Sequence, residues 1–474
     1  MDSTYVPTIG LEIHAELKTQ TKMFCNSRND PDETRPNVNI CPVCMAHPGT
    51  LPVINRAAVM HVLRVGAAIG GELADHTEFD RKSYFYPDIP KGYQISQYER
   101  PLVKGGELDG VAITRVHLEE DTARSSHEQG VSLVDFNRAG VPLMELVTEP
   151  VIHEAAAAGR FARELQLLLR TLDAGEANLE KGEMRVEANI SVSAEPGTLG
   201  TKVEVKNLNS FRSLERAIAY EVERHIALLR EGKPVLQETR GWDENGQKTF
   251  SQRLKEGSAD YRYFPEPDLP KLVLSEDAEC APQVVQATLP ELPPQRRARY
   301  RETYELKDSL VEQIVRDPVY SAFFDAVAQA MSGDKKLAQL AANYLAADLA
   351  GIQAREGWQD LPVDPIAFAK LIALTHAGTL SSRGAKDTLE LLVAHGGDPE
   401  ELATKHGLIQ IQNEDALGEI VKAVIAQEPK AVEEYRSGKE SALQYLVGMS
   451  MRASKGAGNP SRIRELLLEE LSKS

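Results

Sequence analysis

Cysteine is scarce. The 474 residues contain four, two of them in Cys41-Pro-Val-Cys44, which excludes a disulfide framework for so long a chain and makes metal binding the better use. Long apolar runs are missing as well. Nothing approaches the ~18 residues of a membrane span, and the start Met-Asp-Ser-Thr-Tyr-Val-Pro lacks the basic and apolar regions of a signal peptide. A cytoplasmic location is therefore expected. Basic residues are outnumbered, 54 Lys and Arg against 71 Asp and Glu, for a formal charge of −17. A chain that coats nucleic acid without specificity needs cations to neutralise phosphates, so that class is excluded, while a local basic site is not. The Walker phosphate loop, the H-E-x-x-H zinc-hydrolase motif and any repeat of fixed period are absent too. The length calls for two or three domains.

What is present starts with Thr8 to Leu17, T-I-G-L-E-I-H-A-E-L, whose apolar and polar residues alternate with the period of a strand. Ile9, Leu11, Ile13 and Ala15 would enter a core, and Glu12, His14 and Glu16 would share the other face. Two carboxylates and an imidazole suit a cation that takes oxygen ligands and an occasional nitrogen, although a solvated face is the plainer explanation. Ile113 to Glu120 alternates again and ends in the acidic run Glu119-Glu120-Asp121. Leu133 to Val147 reads as strand, turn at Arg138 to Pro142, and a second strand carrying Glu145 between Met144 and Leu146. From Met184 the period of two returns, and Lys202-Val-Glu-Val-Lys206 continues it. These polar faces could line a sheet that holds a large ligand.

Between the first strand and the first helix, Phe24 to Gly49 has the Asn, Asp, Pro and Cys content of an irregular loop. Cys41 and Cys44 have the spacing of a zinc knuckle, with Cys25 sixteen residues before the first of them. His47 is the nearest fourth donor. Asn55 to Ile69 predicts a helix capped by Asn55 and closed by Gly70-Gly71, and Ala155 to Leu172 predicts another, with Phe161, Leu165, Leu168, Leu169 and Leu172 on one side. Phe79-Asp-Arg-Lys-Ser-Tyr-Phe-Tyr-Pro-Asp88 and Asp260-Tyr-Arg-Tyr-Phe-Pro-Glu-Pro-Asp268 mix aromatic with basic and acidic residues. Such a mix can stack bases and bind phosphates, or form an ordinary aromatic cluster edged with charge. Pro290 to Pro294 reads as a linker, which puts a domain boundary near residue 290. Beyond it the chain is helical, with amphipathic stretches at Leu337 to Ala350, Pro365 to Leu374, Ala385 to Ala394 and Leu417 to Ala426. Near the end, Lys455, Arg462 and Arg464 surround a Gly-rich loop that opens a helix, where phosphate can bind.

Read in order, Ile9-Gly-Leu-Glu-Ile-His14, Phe79 to Asp88, Leu118-Glu-Glu-Asp121, Val134 to Glu145, Lys206-Asn-Leu-Asn-Ser-Phe211 and Asp260 to Asp268 resemble the signature blocks of the GatB family, the B subunits of tRNA-dependent amidotransferases. The resemblance runs over essentially the whole chain. It implies an α+β cradle with a mainly antiparallel sheet over 1–290, an all-α helical domain over 291–400 and a small helical, tRNA-binding tail over 401–474. It also implies a reaction. ATP phosphorylates the side-chain carboxylate of Glu on tRNA-Gln or Asp on tRNA-Asn, and ammonia displaces the phosphate. The implied partners are an amidase-type glutaminase that makes the ammonia, a small third subunit and misacylated tRNA, with no membrane. By the same resemblance, Glu12, His14, Glu120 and Glu145 match the catalytic and magnesium positions, and Lys82, Tyr84 and Arg138 match groups that bind substrate or ATP. Lys455, Arg462 and Arg464 would grip the tRNA. Where zinc-carrying relatives show C-x-C, Cys25 is followed by Asn26 and Ser27, leaving Cys25, Cys41, Cys44 and His47 as the zinc set. A tRNA-binding subunit without catalysis is the alternative, and a stand-alone metallohydrolase built on Glu12 and His14 is a weaker one.

Overall fold

The computed structural model describes residues 5–128, 130–195, 197–254, 261–358, 361–410, 414–454 and 458–473. The chain forms two compact units, Met1–Leu292 and Pro293–Ser474.

The first unit is built on a sheet whose long strands are β1 (Val6–Glu16), β2 (Val111–Glu120), β3 (Pro142–Thr148), β4 (Met184–Ser193), β5 (Val203–Leu208), β6 (Glu238–Asp243) and β7 (Lys248–Leu254). They lie side by side in the order β7-β6-β5-β4-β1-β3-β2, and three short strands complete the sheet at the β2 edge. Every neighbouring pair among the seven is antiparallel except β5 with β6, where Glu204 pairs with Thr239 in parallel. This mixed, mainly antiparallel arrangement is the α+β architecture expected.

The alternation read in the sequence decides which way the sheet faces. Ile9, Leu11, Ile13 and Ala15 of β1, Val116 and Leu118 of β2, and Val186, Ala188 and Ile190 of β4 are all buried in one core. Three helices supply the other side of that core: α1 (Arg56–Ala68), α2 (Ala155–Thr171) and α3 (Phe211–Arg230). Asn55 caps α1 by accepting from the Ala57 and Ala58 N–H groups at 3.0 and 3.4 Å, so the helix starts where the sequence puts it. In α2, Phe161, Leu165, Leu168 and Leu169 are buried along one stripe. With helices on one face only, the opposite face of the sheet is free to carry polar groups. A small sheet that includes Asp80–Ser83 and Tyr93–Ser96 stands beside it.

The second unit is helical throughout its described residues, apart from one isolated bridge between Leu380 and Ile409. The stretch read as one helix over Leu337 to Ala350 is an α-helix over Lys335–Asn343 that widens into a π-turn at Tyr344–Leu349 before resuming. The last four helices, from Glu414–Gln427 to Pro460–Lys473, share a core of their own that includes Leu417, Val421, Leu443, Leu446, Ile463 and Leu467. No helix among the described residues is long and apolar enough to cross a membrane.

Candidate functional site

The polar face of the sheet floors a cavity of about 630 Å³. Register assembles the floor. His14 lies opposite Glu145 across β1 and β3, Glu145 lies opposite His117 across β3 and β2, and Glu12 lies opposite Glu187 across β1 and β4. Antiparallel partners point to the same side, so pairing delivers residues distant in sequence to one surface.

Two groups of donor atoms result. In the first, His14 Nε2 is 3.3 Å from Glu145 Oε2 and 3.6 Å from Glu119 Oε1. His117 Nε2 also sits 3.3 Å from Glu145 Oε2, and the Ser96 hydroxyl donates to Glu119 at 3.1 Å. Glu119 and Glu145 are buried, whereas the His14 side chain keeps 16% of its surface open. Burial opposes an imidazolium at His14, but the hydrogen bond and charge of Glu145, with Glu119 and Glu187, outweigh it and push the pKa to about 9. Burial likewise opposes the Glu145 carboxylate, and His117 and His14 overcome it, holding that group well below the usual range. The second group joins Glu12, Glu187 and Glu204. Asn189 donates to Glu12 at 2.8 Å, Lys206 donates to both oxygens of Glu187 at 2.8 Å, and Thr239 donates to Glu204 at 2.8 Å. Ligand atoms within each trio lie within 4.8 Å of one another. The buried atoms His117 Nδ1 and Asn189 Oδ1 have no hydrogen-bond partner among the described residues.

Cations and aromatics complete the walls. Lys82, Arg115, Arg185, Lys202 and Lys206 line the cavity, as do Tyr84, Tyr86, Tyr98, Tyr261 and Tyr263. Lys82 Nζ is 4.9 Å from the centre of the Tyr261 ring. Burial disfavours its ammonium, but Glu119 and Glu145 hold its pKa above the ordinary lysine value.

Of the residues singled out from sequence, Glu12, His14, Lys82, Tyr84 and Glu145 line this one cavity. Glu120 does not join them. It follows Leu118 on the core side of β2, where it accepts from Lys91 at 2.7 Å and from the Ile95 N–H at 3.0 Å. Its neighbour Glu119 takes the place beside His14. Arg138 is not among the lining residues and is engaged elsewhere, donating to the Thr122 and Ala123 carbonyls at 2.9 and 3.1 Å and lying 3.6 Å from Asp121. Sequence reading did not assign roles to Glu119, His117 or Arg115, and it took Arg185, Glu187, Glu204 and Lys206 only as parts of polar strand faces able to line a large ligand. The alternation of Val116 and Leu118 is the signal that puts Arg115, His117 and Glu119 on the polar face.

The cysteine loop forms a separate cluster. Cys25, Cys41 and Cys44 place their sulfurs within 4.8 Å of one another. Ser27 Oγ is 3.7 Å from Cys44 Sγ, and the fully buried Lys22 ammonium approaches that sulfur to 3.8 Å while donating to the Phe136 carbonyl at 3.1 Å. A hydrogen bond from Cys25 outweighs burial and, with the charge of Lys22, lowers the Cys44 thiol below its ordinary value. His47 lines the neighbouring cavity of about 170 Å³ with Cys25, Cys44 and Glu120 but is not part of the trio.

In the tail, Arg462 is paired with Glu465 at 2.6 Å, Arg464 is exposed on the same helix, and Lys455 lies outside the described residues.

Residues 7–279 match the model of the GatB/GatE catalytic domain, and residues 322–471 match that of the GatB domain. The chain is 45% identical over 473 residues to the B subunit of the aspartyl/glutamyl-tRNA(Asn/Gln) amidotransferase of Thermus thermophilus, covering 98% of this chain and 99% of that one. It is 44% identical to the protein of that name from Thermomicrobium roseum, over 98% of each chain. To the Synechocystis protein of the same name it is 41% identical, over 98% of this chain and 97% of the other.

Proposed function

The chain belongs to the GatB family of amidotransferase B subunits, and from that premise we propose that its first unit uses ATP to activate, then amidate, the side chain of Glu carried on tRNA-Gln or Asp carried on tRNA-Asn. The observation that carries this reading is the meeting of two anionic donor groups with five cations in one cavity. A carboxylate oxygen of the aminoacyl group attacks the γ-phosphorus of ATP and ADP departs. Ammonia then attacks the acyl carbon, phosphate leaves and the nitrogen sheds a proton. Both steps bring anions together, so the groups that offset charge matter most. Lys82, Arg115, Arg185 and Lys206 are placed to do so.

The donor chemistry also fits magnesium. His14, Glu119 and Glu145 form one oxygen-rich set and Glu12, Glu187 and Glu204 another, with the orphaned Asn189 Oδ1 nearby. Bound there, the ion would take the place of the His14 proton, neutralise phosphate charge and orient the reacting oxygens. Of the set inferred from resemblance, Glu12, His14 and Glu145 keep that role, and Glu120 is assigned instead to holding Lys91 and the Ile95 backbone beneath the sheet.

Ammonia comes from an amidase-type glutaminase, held with this chain by a small third protein in a cytoplasmic heterotrimer. The stretch 291–400 serves as a helical domain and 401–474 as the tRNA-binding tail, where Lys455, Arg462 and Arg464 contact the tRNA backbone. Cys25, Cys41 and Cys44 carry a structural zinc through three thiolates, with His47 of the adjoining cavity as the fourth donor. Elemental analysis of chain purified without added zinc should give close to one equivalent, and a value near zero removes the zinc.

The deciding experiment measures phosphate release from ATP by the complete complex. Release that requires both magnesium and misacylated tRNA is expected. Release indifferent to the tRNA, or none while tRNA binds normally, would leave this chain with a binding role and no chemistry.

A further inference from the structure

The three most exposed aromatic side chains near the cavity are Phe85 at 86%, Tyr86 at 58% and Tyr98 at 58%. Tyr98 differs from the other two in what lies behind it. Its ring stacks on Tyr263 with centroids 4.4 Å apart and planes 12° from parallel. Its own N–H donates to the buried Asp80 carboxylate at 2.8 Å, and the Glu99 N–H does so at 3.3 Å, so the backbone beneath the ring is fixed. Tyr263 meets Tyr261 edge-on, Tyr261 meets Tyr84 edge-on, and Lys82 lies over Tyr261. A continuous aromatic wall therefore runs from Tyr98 to the Lys82 ammonium.

A ring with one face covered by a second ring and the other bare holds its orientation and offers a flat π-surface at little cost in side-chain freedom. We propose that the free face of Tyr98, backed by Tyr263, is the stacking platform for a purine base entering this cavity. Two sources share that chemistry, the adenine of ATP and the 3′-terminal adenosine of the tRNA. Either places the rest of its nucleotide toward Lys82 and the anionic floor. The assignment rests on the functional reading above, because it takes the cavity to hold ATP and the acceptor end together.

The test uses the full chain assembled with its partner proteins and two fluorescent probes: 2-aminopurine riboside triphosphate, and tRNA carrying 2-aminopurine at its 3′ end. Stacking on tyrosine quenches the probe. The wild type should quench one of the two, and which one identifies the source. Tyr98→Ala and Tyr98→Leu should weaken binding of that probe by about tenfold, while Tyr98→Trp keeps it within about twofold. The leucine variant still covers Tyr263, so an alanine variant that melts early does not spoil the test. Quenching of neither probe, or wild-type quenching by the leucine variant, would overturn the proposal. So would a leucine variant that binds both probes normally but fails to assemble, since the ring would then belong to an interface with a partner protein. Quenching needs no turnover. A complex that stacks the probe yet releases no phosphate defeats the functional reading alone, and one that amidates tRNA while stacking neither probe defeats this inference alone.

Discussion

Two clusters on the same sheet bury carboxylates beside basic groups, and they differ in whether each charge has been matched. At the junction of α3 with β6 and β7, Glu221 is wholly buried and meets Arg224 at 2.7 Å, Arg240 at 3.2 Å, the Thr249 hydroxyl, and His225 at 3.3 Å. Arg240 in turn binds Glu238 at 2.6 Å. Each carboxylate there is matched by a guanidinium, although both ring nitrogens of the buried His225 lack a hydrogen-bond partner among the described residues. On the cavity floor, Glu119 and Glu145 share two imidazoles and one hydroxyl, and Arg115 comes no closer to Glu145 than 3.7 Å. Their oxygens face an open volume. A saturated network holds a structure together, whereas an unsaturated one keeps its capacity for something that arrives from outside.

The comparison breaks most readily at His14 and Glu145. His14→Ala and Glu145→Gln should each lower tRNA-dependent phosphate release by about 10²–10³-fold, the usual cost of losing a group that stabilises transition-state charge. Both side chains belong to a buried charged cluster, so the melting temperature should also fall, but activity measured well below the transition should be lost far beyond what that fall explains. Stability that falls while activity survives would make the floor a second structural network and erase the distinction.

Glu221→Gln tests the other side. Removing one member of a buried ion network costs about 3–5 kcal/mol, which for a domain of this size lowers Tm by roughly 2–4 °C per kcal/mol. Activity measured well below the transition should be intact. A pH effect follows with a definite sign. Burial raises the Glu221 pKa, but its partners win and hold it near 2, against 4.5 for an ordinary glutamate. The network's contribution is therefore complete above about 4.5 and is lost as pH falls toward 2. Acid melting of the wild type should drop steeply in that window, and the Gln variant should drop less. Parallel acid profiles would show that Glu221 is not ionised in the folded chain.

How far the two clusters could be read from sequence depends on which physical rule placed each residue. Alternation along a single strand is local, and it put Glu12 and His14 on the face opposite Ile9, Leu11, Ile13 and Ala15. The same rule through Val116 and Leu118 assigns Glu119 to the cavity and Glu120 to the core side. The resemblance to known blocks points instead at Glu120, whose side chain turns to the core side and meets Lys91 and the Ile95 N–H. Register is not local. That Glu145 lies opposite both His14 and His117, and Glu187 opposite Glu12, depends on which strands pair and with what offset, and nothing in the spacing of these residues encodes it. The Glu221 network was illegible for the same reason, since it joins a helix to a pair of strands some 20–30 residues on. Loop geometry gave a third kind of miss. Cys25 was named with Cys41 and Cys44, but Lys22 as the buried cation beside them could not be foreseen, because a lysine in a loop is ordinarily solvated.

The smallest effect carries the same contrast into the tail. Arg462 already has a carboxylate partner in Glu465, whereas Arg464 is exposed and makes no ion pair among the described residues. Both sit in the first turns of a helix that starts at Pro460, whose N-terminal dipole adds attraction for phosphate. An arginine held by a glutamate must give up that pairing to reach a phosphate, so its net gain is smaller than that of an exposed one. Arg464→Ala should accordingly raise KM for aminoacyl-tRNA by a few-fold and reduce the salt slope of binding by nearly one unit, about 0.7–0.9 for each phosphate no longer neutralised. Arg462→Ala should change both by less, and kcat should be unaffected in either variant, the pattern of uniform binding removed equally from ground and transition states. Titrating tRNA at several salt concentrations with the two single variants measures the order directly. Equal slopes for wild type and both variants would mean that the tRNA backbone does not touch this helix, and a larger loss at Arg462 would show that its pairing with Glu465 positions the guanidinium rather than occupying it.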